Sequence, residues 1–385
     1  PYTKGLLACR PRLDSTFTIL PTVADYLEIV ESEDGEAELR EKEPDLKQPE
    51  PEKKVVGENE ESLLEVRDLA VHFPVHKSLW RGASEPVKAV DGISFELARG
   101  EVLGLVGESG CGKTSIAVTL MKLLPDNALI LKGQVLLDGQ DLMTMDDTTL
   151  RKYRWRRISM IFQAAMHSLN PVHRVGDQIV EAIEAHDMAA TLKEAQETVD
   201  RLFRLVGLDP RLTDRYPHEF SGGMRQRAVI AMALACQPDV IVADEPTTAL
   251  DVIVQDRILR QIKEIQTDLN MSMIYITHDI AVVAEITDRI GVMYAGKLVE
   301  LGSTADVFER PIHPYTKALL SVFPSIRGEK RPLTTLGGEP PNLADPPTGC
   351  RFHPRCPYAT AICQQEEPPI VVRDGHWAAC WNPVG

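Results

Sequence analysis

Gly107-Glu108-Ser109-Gly110-Cys111-Gly112-Lys113-Thr114 reads G-x-x-x-x-G-K-T, the pattern of a loop that cradles phosphates when a strand precedes it and a helix follows. Both flanks agree. Residues 101–106 are short and apolar, as a buried strand requires, and residues 115–124 carry apolar side chains at helical spacing. Glycines let such a loop curl so that several N–H groups point inward at a helix N-terminus, where an anion is favoured. In this reading Lys113 reaches the β- and γ-phosphates, the Thr114 hydroxyl ligates Mg²⁺, and Ser115 stands next to them.

A chain of 385 residues has room for two or three domains. The longest apolar runs, such as residues 240–243, are far short of the ~20 residues that a membrane span needs. The formal charge of −15 argues against nucleic acid as the main ligand. That charge is uneven: residues 31–62 hold 13 acidic and 5 basic side chains, a net of −8. With three prolines and no aromatic residue, this segment cannot bury enough apolar surface to offset its ordering entropy, and it is expected to be a disordered acidic linker.

Residues 1–11 repeat a later segment. Pro1-Tyr2-Thr3-Lys4-Gly5-Leu6-Leu7-Ala8-Cys9-Arg10-Pro11 matches residues 314–324 at seven of eleven positions. The later copy follows the phosphate-binding unit, so the earlier one suggests that a similar unit once preceded it. Residues 1–30 are therefore expected to be the end of a first unit in a tandem polypeptide, joined to the second by the 31–62 linker; the lack of a Met at position 1 agrees with this.

Residues 64–73 and 87–97 alternate as strands do, with a loop between Pro74 and Pro86. Further strands are expected at 134–139, 158–163, 239–244 and 272–277, and the chain stays β-rich through Leu301. Residues 175–235 are helical in character: Thr191 and Glu194 are spaced as a capping box, and Ala195, Val199, Leu202, Phe203 and Val206 share one helix face. Another helix is expected over 252–269. Strand alternating with helix indicates a parallel α/β core.

Residues 240–245 form an apolar strand that ends in Asp244 and Glu245. Carboxylates at the C-terminal end of a buried strand lie where α/β ligands bind. Asp244 suits a Mg²⁺ role and Glu245 suits activation of water. A second phosphate-gripping segment, Ser221-Gly222-Gly223, lies just before another helix. Two such segments are one more than a single site requires, and the excess points to nucleotides shared across a dimer.

Taken together these motifs resemble an ABC-transporter ATPase subunit. The phosphate loop, Gln163 after its strand, the Ser-Gly-Gly signature, Asp244-Glu245, Ala249-Leu250-Asp251 and Ile276-Thr277-His278-Asp279 occur in that family's order over residues 63–302. Ser168-Leu169-Asn170-Pro171 after Gln163, and His313-Pro314-Tyr315-Thr316, resemble the dipeptide/oligopeptide/nickel importer group. The resemblance implies an α/β P-loop NTPase of ABC type (residues 63–302). It would have an antiparallel β subdomain, a helical subdomain at about 165–225, and a small Cys-containing extension over 303–385. It implies ATP and Mg²⁺ bound by residues 107–115, Gln163 sensing Mg²⁺ and water, and Ser221, Gly222 and Gly223 contacting the γ-phosphate held by an opposite subunit. Asp251 would lie in the loop linking the two sites, and His278 would hold the γ-phosphate. The implied partners are a second ABC ATPase domain, two membrane permease subunits on whose cytoplasmic face the protein sits, and, indirectly, an extracytoplasmic solute-binding protein. Two departures stand out. Ala164-Ala165 replace a common acidic residue and proline, and the signature carries Phe220 and Met224. The aromatic that stacks on adenine is left between Phe73 and Trp80.

Of seven cysteines, Cys350, Cys356, Cys363 and Cys380 cluster near the end, spaced C-x5-C-x6-C-x16-C. A reducing cytosol disfavours disulfides, and zinc sites usually include a short C-x2–4-C pair, which is lacking here. Four thiolates can hold an iron–sulfur cluster. The family resemblance implies a [4Fe–4S] cluster, with Zn²⁺ or unligated thiols as alternatives. The leading functional reading is a motor for peptide import. A soluble ABC ATPase acting on ribosomes or DNA is the alternative, and within import, nickel or glutathione-like solutes stay open.

Overall fold

The computed structural model describes residues 27–31, 37–41, 62–74, 85–163, 168–248, 250–321 and 337–385. The repeat at residues 1–11, Trp80 and Ala164-Ala165 lie outside the described residues. A hairpin comes first, β1 (Leu27–Glu31) antiparallel to β2 (Ala37–Glu41). Within the stretch expected to be a disordered acidic linker, Ala37–Glu41 pairs with the strand just upstream, which supplies its backbone hydrogen bonds.

The chain continues through β3 (Ser62–Phe73), β4 (Val87–Ala98), β5 (Val102–Val106), α1 (Lys113–Leu120), β6 (Leu129–Leu137), β7 (Gln140–Asp141), α2 (Asp147–Tyr153) and β8 (Ile158–Ile161). Then come α3 (Val175–Ala185), α4 (Leu192–Leu205), α5 (Gly222–Ala233), β9 (Val240–Asp244), α6 (Val252–Leu269), β10 (Ser272–Thr277), α7 (Ile280–Ile286), β11 (Arg289–Tyr294) and β12 (Lys297–Ser303). The last elements are α8 (Thr304–Glu309), α9 (Pro314–Ser321), α10 (Ala361–Gln365), β13 (Ile370–Arg373) and β14 (His376–Ala379).

Two sheets carry the site. One is antiparallel, in the order β4-β3-β6-β7. The other runs β13-β14-β12-β11-β5-β10-β9-β8, and its stretch from β11 to β8 is parallel. Every residue of β5, β9 and β10 is buried. Such strands are covered on both faces, which explains their unbroken apolar runs. One core face joins Leu103, Leu105, Ile116 and Ile274 to the antiparallel sheet; the other joins Val106, Tyr275 and Ile241 to α3, α4 and α5.

The helical subdomain follows from local chemistry. Ala195, Val199, Leu202 and Phe203 are the buried residues of α4. The Thr191 side chain accepts the Glu194 N–H at 3.2 Å, but the Glu194 carboxylate takes the Ala190 N–H at 2.8 Å rather than that of Thr191. The helix after the phosphate loop is shorter than expected: it ends at Leu120, and Lys122 turns into the left-handed region at φ 49°.

The C-terminal extension does not stand apart. Its β14 pairs with β12, so the core sheet crosses the expected boundary at residue 302. Glu300, fully buried in β12, anchors the junction. Its carboxylate accepts the N–H groups of Ile312 at 2.6 Å and His313 at 3.0 Å, and faces His376 Nε2 at 2.7 Å. A residue larger than Gly302 would drive its Cβ to 2.4 Å from the His376 ring. Replacing Glu300 with Ala orphans these buried donors and should cost about 3 kcal/mol, read as a lower urea midpoint for unfolding; an unchanged midpoint would show that the junction does not hold the fold.

Candidate nucleotide-binding site

The phosphate loop is wedged between the sheets. A Cβ on Gly107 would meet the Met293 carbonyl oxygen at 2.2 Å, and one on Gly112 the Ala89 carbonyl oxygen at 2.1 Å, with φ at 155° and 109°. Gly110, at φ 80°, faces open space and needs glycine for its backbone alone. Gly112 is the N-cap of α1, and no side chain caps that helix; its first N–H groups are therefore left for an anion. Lys113, 5% exposed, donates to the carbonyls of Gly107 at 2.7 Å and Glu108 at 3.1 Å. Those bonds hold the ammonium over the loop. Cys111 is buried beside it, with Sγ 3.7 Å from Lys113 Nζ. Ser109, in the loop, is exposed and Ser115, in the first turn of α1, is half-buried.

Glu108 behaves unlike the rest of the loop. Its N–H is donated to the Tyr315 hydroxyl at 3.0 Å, and its carboxylate receives both terminal nitrogens of Arg355 at 2.7 and 2.9 Å. It is therefore engaged by the extension rather than by the cradle.

Asp244 ends β9, 1% exposed; neither carboxylate oxygen is in a well-formed hydrogen bond, and the Thr114 hydroxyl acts on it from nearby. Burial pushes its carboxyl up and the charge of Glu245 adds to this, while the Thr114 hydroxyl and Lys113 pull the other way. A buried carboxylate without a well-formed hydrogen bond is costly, and a hard divalent cation takes such oxygens together with a hydroxyl. The pair Thr114 and Asp244 therefore fits Mg²⁺, the ion that the sequence implied.

Glu245 sits at φ 47°, a left-handed conformation stabilised by its N–H bonding to the Ile276 carbonyl at 2.8 Å. The turn brings together three residues that are distant in sequence. Gln163 Nε2 donates to Glu245 Oε2 at 3.0 Å, and His278 Nδ1 lies 2.9 Å from Oε1. Thr248, which the sequence reading did not single out, donates its hydroxyl to Oε2 at 3.0 Å. Burial raises the Glu245 carboxyl, but His278, Thr248 and Lys113 outweigh it and hold it below the usual carboxylate range. It is thus kept ionised, as a group that orients or activates water must be.

Ser221 caps α5 through the Met224 N–H at 3.3 Å, and Asp251 caps α6 through the Val254 N–H at 3.0 Å. Gly222 is half-buried. A Cβ on Gly223 would sit 2.7 Å from Val254, so the signature turn packs on the helix that Asp251 begins. Phe73 packs against the core under the antiparallel sheet.

In the extension, Cys350, Cys356, Cys363 and Cys380 are free thiols that share one electrostatic neighbourhood. Backbone N–H groups face three of them, from Phe352 and His353 to Cys350, Tyr358 to Cys356, and Asn382 to Cys380. Cys363 Sγ receives the Thr360 N–H at 3.5 Å and Asn382 Nδ2 at 3.4 Å. Burial pushes the Cys350 and Cys356 thiols up and that of Cys380 up to about 11. Among the described residues, no group of three or more His, Cys, Asp or Glu side chains is arranged to hold a single metal ion. Neither a zinc site nor an iron–sulfur cluster therefore finds support in this geometry.

The folded-state pKa of Asp244 lies above its ordinary value, so its ionisation costs stability at pH above that pKa. The cost fades as the pH falls below the ordinary Asp range. In EDTA near neutral pH, Asp244→Asn should be more stable than the parent by about 1–3 kcal/mol, with the margin closing in acid. Mg²⁺ should raise the melting temperature of the parent alone. Equal melting curves would remove Asp244 from the metal site.

Comparison with known proteins agrees with this geometry. Residues 90–248 match the model of the ABC transporter family, and residues 299–363 match that of the oligopeptide/dipeptide transporter C-terminal region. A probable peptide ABC transporter ATP-binding protein of Sinorhizobium fredii is 46% identical over 325 residues, covering 83% of this chain and 95% of that protein. The oligopeptide transport ATP-binding protein AppF of Bacillus subtilis is 44% identical, covering 84% and 98%. The fold is similar to that of the ATP-binding cassette MJ0796, a protein solved as a dimer in a post-hydrolysis state, with TM-score 0.55 and 24% identity over 63% of this chain and 98% of that one. The phosphate loop, the buried carboxylate strand and the Gln163–Glu245–His278 cluster thus belong to an ABC-type ATPase, and the chain is a member of the ABC transporter ATP-binding proteins that carry the oligopeptide/dipeptide C-terminal region.

Proposed function

We propose that this protein is the ATP-hydrolysing subunit that powers import of peptides, dipeptides or oligopeptides across the cytoplasmic membrane. The observation that carries the reading is the convergence of Gln163, Thr248 and His278 on the Glu245 carboxylate, one residue from a buried Asp244 that lacks a well-formed hydrogen bond. The peptide assignment is supported by relatives named for peptide and oligopeptide transport and by the matching C-terminal region.

In this proposal residues 107–115 hold the triphosphate, and Lys113 exchanges its loop carbonyls for the β- and γ-phosphates. Thr114, Asp244 and Gln163 would hold Mg²⁺, which would supply charge neutralisation at the phosphates. Glu245 accepts a proton from the attacking water, and His278 and Gln163 orient that water and the γ-phosphate. Phosphoryl transfer needs little else, since its catalysis is positioning and electrostatics. Ser221, Gly222, Gly223 and Asp251 serve the nucleotide of a second ATPase domain. The Gln163 side, together with the helical subdomain, docks two permease subunits at the membrane, which in turn meet a solute-binding protein. No helix among the described residues is long and apolar enough to cross a membrane, so membrane contact in this reading is peripheral. The tandem arrangement and the 63–302 and 303–385 division are part of the same proposal.

A [4Fe–4S] cluster is part of the same proposal and rests on the kind of donor alone, since among the described residues the thiols are not arranged as a metal-binding group. Four thiols lie in one neighbourhood, and the N–H groups facing each sulfur partly offset the burial that disfavours the thiolate form at Cys350, Cys356 and Cys380. Cys350, Cys356, Cys363 and Cys380 would hold it, and its chemistry there would be structural cross-linking. Iron and sulfide content of anaerobically purified protein measures this directly, and protein purified without either would rule the cluster out.

Glu245→Gln should bind MgATP as the parent does while losing at least about a hundredfold in turnover, the scale of a lost general base. Turnover at the parental rate would remove Glu245 from the reaction.

A further inference from the structure

The contacts that the C-terminal extension makes with the phosphate loop serve none of the roles above. We propose that Arg355 and Tyr315 are positioning residues of the nucleotide site, so that the extension completes the phosphate-binding loop by neutralising Glu108 and fixing its backbone.

Glu108 places a carboxylate inside a loop whose task is to receive a triphosphate. Left free, that charge would oppose the incoming anion a few residues from Lys113. Arg355 removes the conflict with a two-pronged pair at 2.7 and 2.9 Å. The guanidinium side chain is 6% exposed and the carboxylate 23%, so solvent screens the pair little. Arg355 is itself held by the Gly337 carbonyl at 2.9 Å and the Tyr294 hydroxyl at 3.2 Å, with its guanidinium 5.7 Å from the centre of the Tyr294 ring. A planar fork fixed on all sides orients the carboxylate as well as neutralising it.

Tyr315 acts on the same residue from the other side. It is fully buried, and its hydroxyl accepts the Glu108 N–H at 3.0 Å. Tyr315 packs, with its ring tilted, against Tyr294 and Phe352, with ring centroids 4.6 and 5.4 Å away. Its own N–H is donated to His313 Nδ1 at 3.0 Å. His313 is fully buried and its pKa is pushed down to about 4, so the ring is neutral and can accept that bond. The run His313-Pro314-Tyr315 thus acquires a physical role: the histidine sets the tyrosine, and the tyrosine sets the loop. Without Tyr315 the Glu108 N–H would be free to turn, and the curl between Gly107 and Gly110 would loosen.

The inference rests on the reading of residues 107–114 as the phosphate cradle, and the experiment separates the two. Full-length protein is titrated with a fluorescent, non-hydrolysable ATP analogue and Mg²⁺, and folding of each variant is checked by circular dichroism. Arg355→Ala should bind at least about tenfold more weakly, the scale of one lost charge-assisted pair. Arg355→Lys, which keeps the charge but not the fork, should fall between the two. In a Glu108→Gln background, Arg355→Ala should change affinity less than about threefold, since the carboxylate to be neutralised is gone. Tyr315→Phe should weaken binding while KM for ATP rises more than kcat falls. Equal penalties for Arg355→Ala with and without Glu108, or parental affinity in both Arg355→Ala and Tyr315→Phe, would overturn the inference. Failure of the parent protein to bind the analogue would instead overturn the cradle reading.

Discussion

The close approach of the phosphate loop to two backbone carbonyls is the constraint on which the rest of the site depends. Gly107 lies against Met293 of β11, and Gly112 against Ala89 of β4. No side chain larger than hydrogen fits at either point. The loop is therefore clamped between the parallel sheet and the antiparallel one, and the two sheets cannot shift without deforming it. The N–H groups at the start of α1 inherit this rigidity, which preorganised anion binding requires.

Around this clamp the charges are arranged by depth. Asp244 is buried and lacks a well-formed hydrogen bond, which destabilises the protein but leaves two oxygens poised for a cation. Glu245, one residue on, turns through a left-handed backbone and gains three side-chain partners. Adjacent carboxylates thus meet opposite environments, one pushed toward neutrality by burial and the other kept ionised by its neighbours. Such separation between neighbouring acids is how one site assigns metal binding and proton acceptance to different groups.

The extension carries more of the molecule than its place at the end of the chain suggests. Glu300 ties β12 to β14 and to the turn before α9, while Arg351 bonds Asp91 and the Ala295 carbonyl. Gly296 in turn gives its N–H to the Cys111 carbonyl within the phosphate loop, at 2.9 Å. The segment between Cys350 and Cys356 therefore contacts the nucleotide unit at several points, and whatever braces those cysteines braces these contacts too.

Much of this was legible from local pattern. The phosphate loop, the strand before it, the helix at Val252–Leu269, the strand at Ser272–Thr277 and the buried face of α4 follow from periodicity and glycine spacing, because each depends on neighbours within a few residues. The place of β14 in the core sheet and the grip of Arg355 on Glu108 were not legible, because their partners lie elsewhere in the chain. Thr248 joined the Glu245 cluster without any signal beyond proximity. By itself the sequence determined which residues could carry phosphate, metal and proton chemistry, since motif spacing encodes local backbone shape. Only the tertiary structure decided that Asp244 would be left without a well-formed hydrogen bond, that Gln163 and His278 would meet on Glu245, and that the tail would close on the loop, since burial and long-range packing set those contacts.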